Sequence, residues 1–226
     1  RGLAPLTHRS IVRLYARGET SDKRPFLELE WLEGPTLACA IADHQAGLPP
    51  RDAIRLLLPI ANALSLAHDR GIVHGDVRAE HVILVPLAGD RLLPKLLDFG
   101  GSLRVRRTIA PPSPTEPTPH SQPPSADEPD GEPAVDVRAF AAMVFHAIMG
   151  RPPFTTGPAP ATPPAAVPRS GLSERDAVLW RILAEGLAPL SVNRNRTLHD
   201  LTRALVQWAD LRSVEADVTG GSILRR

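Results

Sequence analysis

Lysine is almost missing from this chain. Of the 26 basic residues among 226, 24 are arginine and only two, Lys23 and Lys95, are lysine. A phosphate-cradling G-x-x-x-x-G-K-[ST] loop needs a lysine behind a glycine-rich turn, and neither lysine has that setting. A Schiff-base or cofactor lysine is one of these two or none. Cysteine is reduced to Cys39, which excludes a disulfide framework and a cysteine-built zinc cage. No apolar run approaches the roughly 18 residues of a membrane span, so no membrane segment is expected. A net charge of +1 with 23% charged residues argues against a nucleic-acid partner, which would call for a basic stripe. The one short basic cluster, Arg104, Arg106 and Arg107, reads as a solvated loop. The chain opens on Arg1 without an initiator methionine, and reads as a fragment whose N-terminus lies upstream.

What is plentiful is proline, 25 residues, about twice the usual share. Sixteen of them fall between Pro111 and Pro168, in tracts at 111–133 and 152–168. The first tract has almost nothing aliphatic to bury, so a disordered or polyproline-like excursion is expected there. Elsewhere the pattern predicts strands at 10–15 and 26–31 around a polar turn at Ser21–Lys23. A helix is predicted from Arg51 to Asp69, stopped by Gly71 and interrupted at Pro59, where proline should cost about 3 kcal/mol or kink it. A hairpin of 82–85 and 94–97 turns at Gly89–Asp90. Helices follow at Val135–Met149, at Ser173–Leu183 and after Thr197, the last two opening on capping-box patterns with Asp176 and Asp200.

The stretch Ile72–Gly100 carries the chemistry. Asp76 lies on a loop after the long helix, and Asp98 follows 22 residues later, after the hairpin. Two carboxylates joined by a short hairpin suit phosphoryl transfer: one orients and accepts the proton of an attacking hydroxyl, and the other holds Mg²⁺ against phosphates. A single Asp beside a turn would read as a cap; the pair in this context is far more specific.

His74–Gly75–Asp76–Val77–Arg78–Ala79–Glu80–His81 resembles the H-R-D-L-K-P-E-N catalytic loop of protein kinases, and Asp98–Phe99–Gly100 resembles their D-F-G motif. Leu6–Leu14, Phe26–Gly34, the helix from Asp136 to Gly150–Arg151–Pro152–Pro153–Phe154, and Arg194 with Thr197 and Leu201 extend the likeness in order along nearly the whole chain. The chain thus resembles the C-terminal lobe and hinge of a bacterial-type serine/threonine protein kinase. The resemblance implies an α+β, protein kinase-like fold, mostly helical, with remnant strands of the N-lobe. Residues 1–34 would be that remnant and the hinge. Residues 35–212 would be the C-lobe, with proline-rich segments at about 104–134 and 155–169, and 213–226 would form a tail.

Carried over by position, the resemblance makes Asp76 the catalytic base, with Arg78 in place of the catalytic-loop lysine. Asp98 and His81 would be the metal ligands. The backbone of Glu30 and Leu32 would meet the adenine edge, with Leu29 as gatekeeper and Ile83 on the pocket floor. His74 would stack on Phe99, and Asp136 would anchor the loop backbone. The implied cofactors are ATP and Mg²⁺, the partner a protein substrate or binding partner, and the location cytoplasmic.

The departures leave alternatives open. His81 replaces an asparagine and offers Mg²⁺ a nitrogen where it prefers oxygen. Gly75 replaces the arginine that reads a phosphorylated activation loop. The proline tract stands where the peptide-substrate platform belongs, and Arg194 has only Glu128 and Glu132 as weak acidic partners. The Gly-rich loop, the third-strand lysine and the αC glutamate would all lie upstream. Three readings remain: a Ser/Thr kinase active in its intact parent and inactive as this fragment, a degenerate pseudokinase serving as a scaffold, and a small-molecule phosphotransferase.

Overall fold

A computed structural model describes residues 6–44, 46–89, 91–99, 132–154, 173–189 and 197–210. Strands β1 (Leu14–Glu19) and β2 (Pro25–Leu29) form one antiparallel hairpin. Helices α1 (Leu37–Asp43) and α2 (Pro50–His68) follow. A 3-10 turn at Ala79–His81 leads into a second antiparallel hairpin, β3 (Val82–Leu87) and β4 (Arg91–Leu96). Helices α3 (Pro133–Met149), α4 (Glu174–Leu187) and α5 (Leu198–Ala209) complete an α+β, mostly helical architecture.

The core is organised around α2. Its Leu56, Leu57, Ile60 and Leu64 are fully buried, and so is Ala63. Burial extends beyond a single stripe, as a central helix requires. Helices α3 and α5 and strand β4 pack on it. Pro59 is accommodated inside the helix. The stop at Gly71 is a Schellman closure: the Gly71 amide donates to His68 and the Ile72 amide to Ala67, with Gly71 at φ +70°, a conformation that costs glycine nothing. The loop that follows is therefore aimed by the end of a deeply buried helix.

The first hairpin sits differently from the sequence expectation. Residues 10–13 are not a strand: Ile11 and Val12 are buried, and their backbone is spent on Leu96. The Val12 amide donates to its carbonyl at 3.0 Å, and the Leu96 amide donates to Ser10 at 2.8 Å. The first strand therefore begins at Leu14. The second ends at Leu29, because Glu30 is drawn towards Lys95, where its carboxylate accepts from the ammonium at 2.6 and 2.7 Å. The polar turn holds as expected: Thr20 and Arg24 pair by backbone, and Lys23 takes φ +61°.

Helix α1 was not anticipated, although Thr36 caps it by accepting from the Cys39 amide at 3.1 Å. Seven residues, four of them Ala or Cys, give too little periodicity to register. Helix α4 runs a turn past Leu183, because Gly186 lets it approach α3: a Cβ there would meet the Ala141 Cβ at 2.7 Å. The capping box of Thr197 and Asp200 is present in full, and Ser173 caps α4. Most of both proline tracts, the Arg104–Arg107 cluster, Glu128, Arg194 and the tail lie outside the described residues; the first tract ends at Glu132 and Pro133, which open α3.

The β1–β2 hairpin and the segment just after it leave apolar surface in water, with Leu27 64% and Trp31 86% exposed beside the hairpin's strand edges. The 226-residue chain by itself should therefore self-associate. Leu27→Glu combined with Trp31→Ser should raise its monomer fraction in sedimentation velocity. A monodisperse parent chain would contradict this.

Candidate functional site

Asp136, in the first turn of α3, is fully buried. Its Oδ1 accepts the Gly75 amide at 2.8 Å, and its Oδ2 accepts the His74 amide at 2.8 Å. His68, in the last turn of α2, places Nε2 2.8 Å from the same Oδ2. Gly75 adopts φ +77°, which lets two successive amides point at one carboxylate. The expected anchoring by Asp136 is thus observed. Nothing in the residue spacing signalled the contribution of His68.

His74 is buried, and both of its ring nitrogens are committed. Nε2 lies 2.8 Å from the Leu97 carbonyl, and Nδ1 accepts the Asp76 amide at 3.2 Å. A carbonyl can only accept and an amide can only donate, so this arrangement fits the neutral imidazole alone. Burial pushes its pKa down; the Leu97 carbonyl and Asp136 pull upward without reversing the shift. Phe99 meets the ring edge-on at 4.8 Å, as the sequence reading anticipated. One side chain therefore ties the loop before β3 to the segment after β4.

Those two segments present Asp76 and Asp98, and His81 stands between them. Its Nδ1 donates to the Asp76 carbonyl at 2.9 Å and lies 3.5 Å from Asp76 Oδ2. Its Nε2 faces Asp98 Oδ2 at 3.8 Å. The Asp76 and Asp98 side chains are 47% and 60% exposed, so both carboxylates are open to a ligand. Asp98 takes φ +57°, a left-handed backbone that Asp tolerates better than most residues. Arg78 donates from Nε to Glu80 at 3.0 Å, which holds its charge beside the 3-10 turn.

Of the residues assigned to the nucleotide base, Leu29, Glu30 and Leu32 lie at the end of β2 and on the link to α1, and Ile83 lies in β3. Leu29 ends β2 and is partly exposed. The Glu30 amide donates to Arg13 at 2.8 Å. Its carboxylate is held by Lys95; burial alone would raise its pKa, but Lys95 and the Arg13 amide outweigh burial and hold it below the usual carboxylate range. Lys95 pairs with Ile83 across the second hairpin, and Ile83 bridges to Thr36. Glu30 and Ile83 are thereby joined to one framework, and Leu29 to the first hairpin through its pairing with Leu14. The Glu30–Lys95 clamp was missed because 65 residues separate its partners and no short motif marks it.

Residues 2–163 match the protein kinase domain family. The chain is 31% identical over 161 residues to the serine/threonine-protein kinase PknL of Mycobacterium tuberculosis, covering 69% of this chain and 38% of PknL. It is 29% identical over 222 residues to the kinase PknF of the same organism, covering 89% of this chain and 44% of PknF. The crystal structure of the M. tuberculosis PknI kinase domain superposes with a TM-score of 0.66 at 26% identity, covering 91% of this chain and 74% of that domain. The chain thus spans less than half the length of these curated relatives. Among the described residues no helix is long and apolar enough to cross a membrane.

The anchor has two measurable consequences. Asp136→Ala strands the buried His74 amide, at a cost of about 1–3 kcal/mol, removes the acceptor of the more exposed Gly75 amide as well, and should shift urea unfolding accordingly. The unfolded chain protonates His74 near its ordinary value of about 6.5, while the folded chain resists until lower pH. Stability should then be full above that value and fall as the pH drops through it. His8 is lowered too, by burial and Arg9. His74→Asn should therefore make the decline between neutral and mildly acidic pH shallower, without abolishing it.

Proposed function

The chain belongs to the protein kinase domain family, and on that footing we propose that it carries the phosphoryl-transfer half of an ATP-dependent serine/threonine protein kinase. The observation that carries the reading is the convergence of Asp76 and Asp98 on the two edges of His81, below a loop anchored to Asp136. Asp76 is the base: its exposed carboxylate accepts the proton of the substrate hydroxyl as that oxygen bonds to the γ-phosphorus of ATP and the bond to the β,γ-bridging oxygen breaks, with ADP leaving. The backbone of Glu30 and Leu32 takes the adenine edge, with Leu29 and Ile83 as apolar walls. Arg78 supplies positive charge to the loop, and its Glu80 partner limits its reach.

The two donors differ in their fit to Mg²⁺. The Asp98 carboxylate is a hard oxygen donor and fits; the His81 nitrogen does not suit Mg²⁺. When bound, the metal neutralises the phosphate charge that builds up during transfer. Asp98 would be the oxygen ligand that holds it, while Asp76, on the other edge of His81, would stay available to the hydroxyl. A protein substrate and a cytoplasmic setting, where ATP is supplied, accord with this reading.

A second reading is favoured by His81 and by the Arg78–Glu80 pair: a nucleotide-binding module without turnover, acting as a scaffold. The two separate by experiment on the full-length protein. Mg·ATP should raise its melting temperature, and Asp76→Asn should cut phosphoryl transfer to a Ser/Thr peptide by about 10²–10⁴-fold while leaving the thermal shift in place. Unchanged turnover would overturn the assignment of Asp76. A thermal shift with no turnover in the parent would establish the scaffold.

A further inference from the structure

The histidine at position 81 is held in the manner of a metal ligand. A metal-binding imidazole almost always donates its second ring nitrogen to a carbonyl or carboxylate, which fixes the tautomer and aims the other nitrogen. His81 meets that description. Its Nδ1 lies 2.9 Å from the Asp76 carbonyl, which can only accept, so Nδ1 carries the hydrogen. In the neutral ring Nε2 is left with its lone pair, and it faces Asp98 Oδ2 at 3.8 Å. The ring itself is mostly buried, with 21% of its side chain exposed, and is seated on the 3-10 turn ahead of β3.

Two donors of one metal at about 2.1 Å each stand roughly 3 Å apart when they are neighbours in an octahedral shell. The observed separation closes to that value by a rotation of the exposed Asp98 carboxylate. Asp76 Oδ2 lies on the opposite, Nδ1 edge of the ring and does not share the same ion. Among the described residues no three His, Cys, Asp or Glu side chains form a metal cluster. The protein therefore supplies two ligands, one nitrogen and one oxygen, and the rest of the shell falls to phosphate oxygens and water.

We propose that Asp98 and His81 Nε2 form a mixed nitrogen–oxygen site that takes a first-row transition cation, such as Mn²⁺ or Co²⁺, in preference to Mg²⁺. The chemical reason is the donor set. Mg²⁺ sheds water reluctantly and binds almost entirely through oxygen, whereas imidazole favours transition metals increasingly along the Mn²⁺ to Co²⁺ series. The inference rests on the phosphoryl-transfer reading only for the source of the remaining ligands.

The experiment uses the full-length protein with Mn²⁺, Co²⁺ or Mg²⁺, each with and without ATP. Electron spin-echo spectra of bound Mn²⁺ should show modulation from a ligating ¹⁴N, and this should vanish in His81→Asn and in His81→Gln. Calorimetric titration should give a Co²⁺-over-Mg²⁺ preference that falls about tenfold in His81→Asn. Mn²⁺ bound without nitrogen modulation, or a preference unchanged by both substitutions, overturns the site even if ATP binds well. Nitrogen-ligated Mn²⁺ in a protein that ignores ATP upholds the site and defeats the phosphoryl-transfer reading instead.

Discussion

A carboxylate with no exposed surface must find donors for its lone pairs, and Asp136 finds three: the amides of His74 and Gly75 and the imidazole of His68. Each comes from a different constraint. His68 ends the central helix α2, Gly75 relies on a left-handed backbone, and His74 is wedged between that loop and the strand that precedes Asp98. The irregular loop carrying Asp76 has no ladder of its own to hold it. Its geometry is borrowed from α2 and α3 through one side chain, so the site is as rigid as the helical core beneath it.

His74 extends that rigidity across the hairpin. Because its two nitrogens face groups of opposite hydrogen-bonding type, the ring acts as a strut with a fixed proton. It places Leu97, and hence Asp98, relative to the Asp76 amide. The Lys95–Glu30 pair does the corresponding job one layer away, joining the end of β2 to β4. An exposed ion pair would contribute little, but Lys95 keeps only 12% of its side chain in water and meets both carboxylate oxygens. The two lysines thus have very different settings, one in a turn and one under the segment assigned to the nucleotide base.

Much of this was legible in the sequence. The long helix, the second hairpin, the caps at Ser173 and Thr197 and the pairing of Asp76 with Asp98 all rest on local patterns, and local patterns survive into the fold. The misplaced first strand shows the limit. Ser10–Val12 has strand-like composition, but the partner that claims its backbone is Leu96, which no period of two reveals. Helix α1 is too short to display a period at all. The link from Glu30 to Lys95 and the role of His68 are contacts between residues 65 and 68 apart in the chain. The position of His81 was readable as a substitution, but the direction of its two nitrogens was not.

The second hairpin also has a mechanical meaning. Asp76 and His81 precede β3, Asp98 follows β4, and between them lie six paired positions from Val82–Leu96 to Leu87–Arg91. The ladder works as a caliper whose jaws are the two carboxylates and whose hinge is the turn beyond Leu87. Lengthening that turn leaves the jaws where they are. Adding one residue within either strand reverses every side chain beyond it, turning Asp98 away from His81. Evolution is thus free to decorate the tip at Ala88–Gly89, while strand length is locked to the spacing of the site.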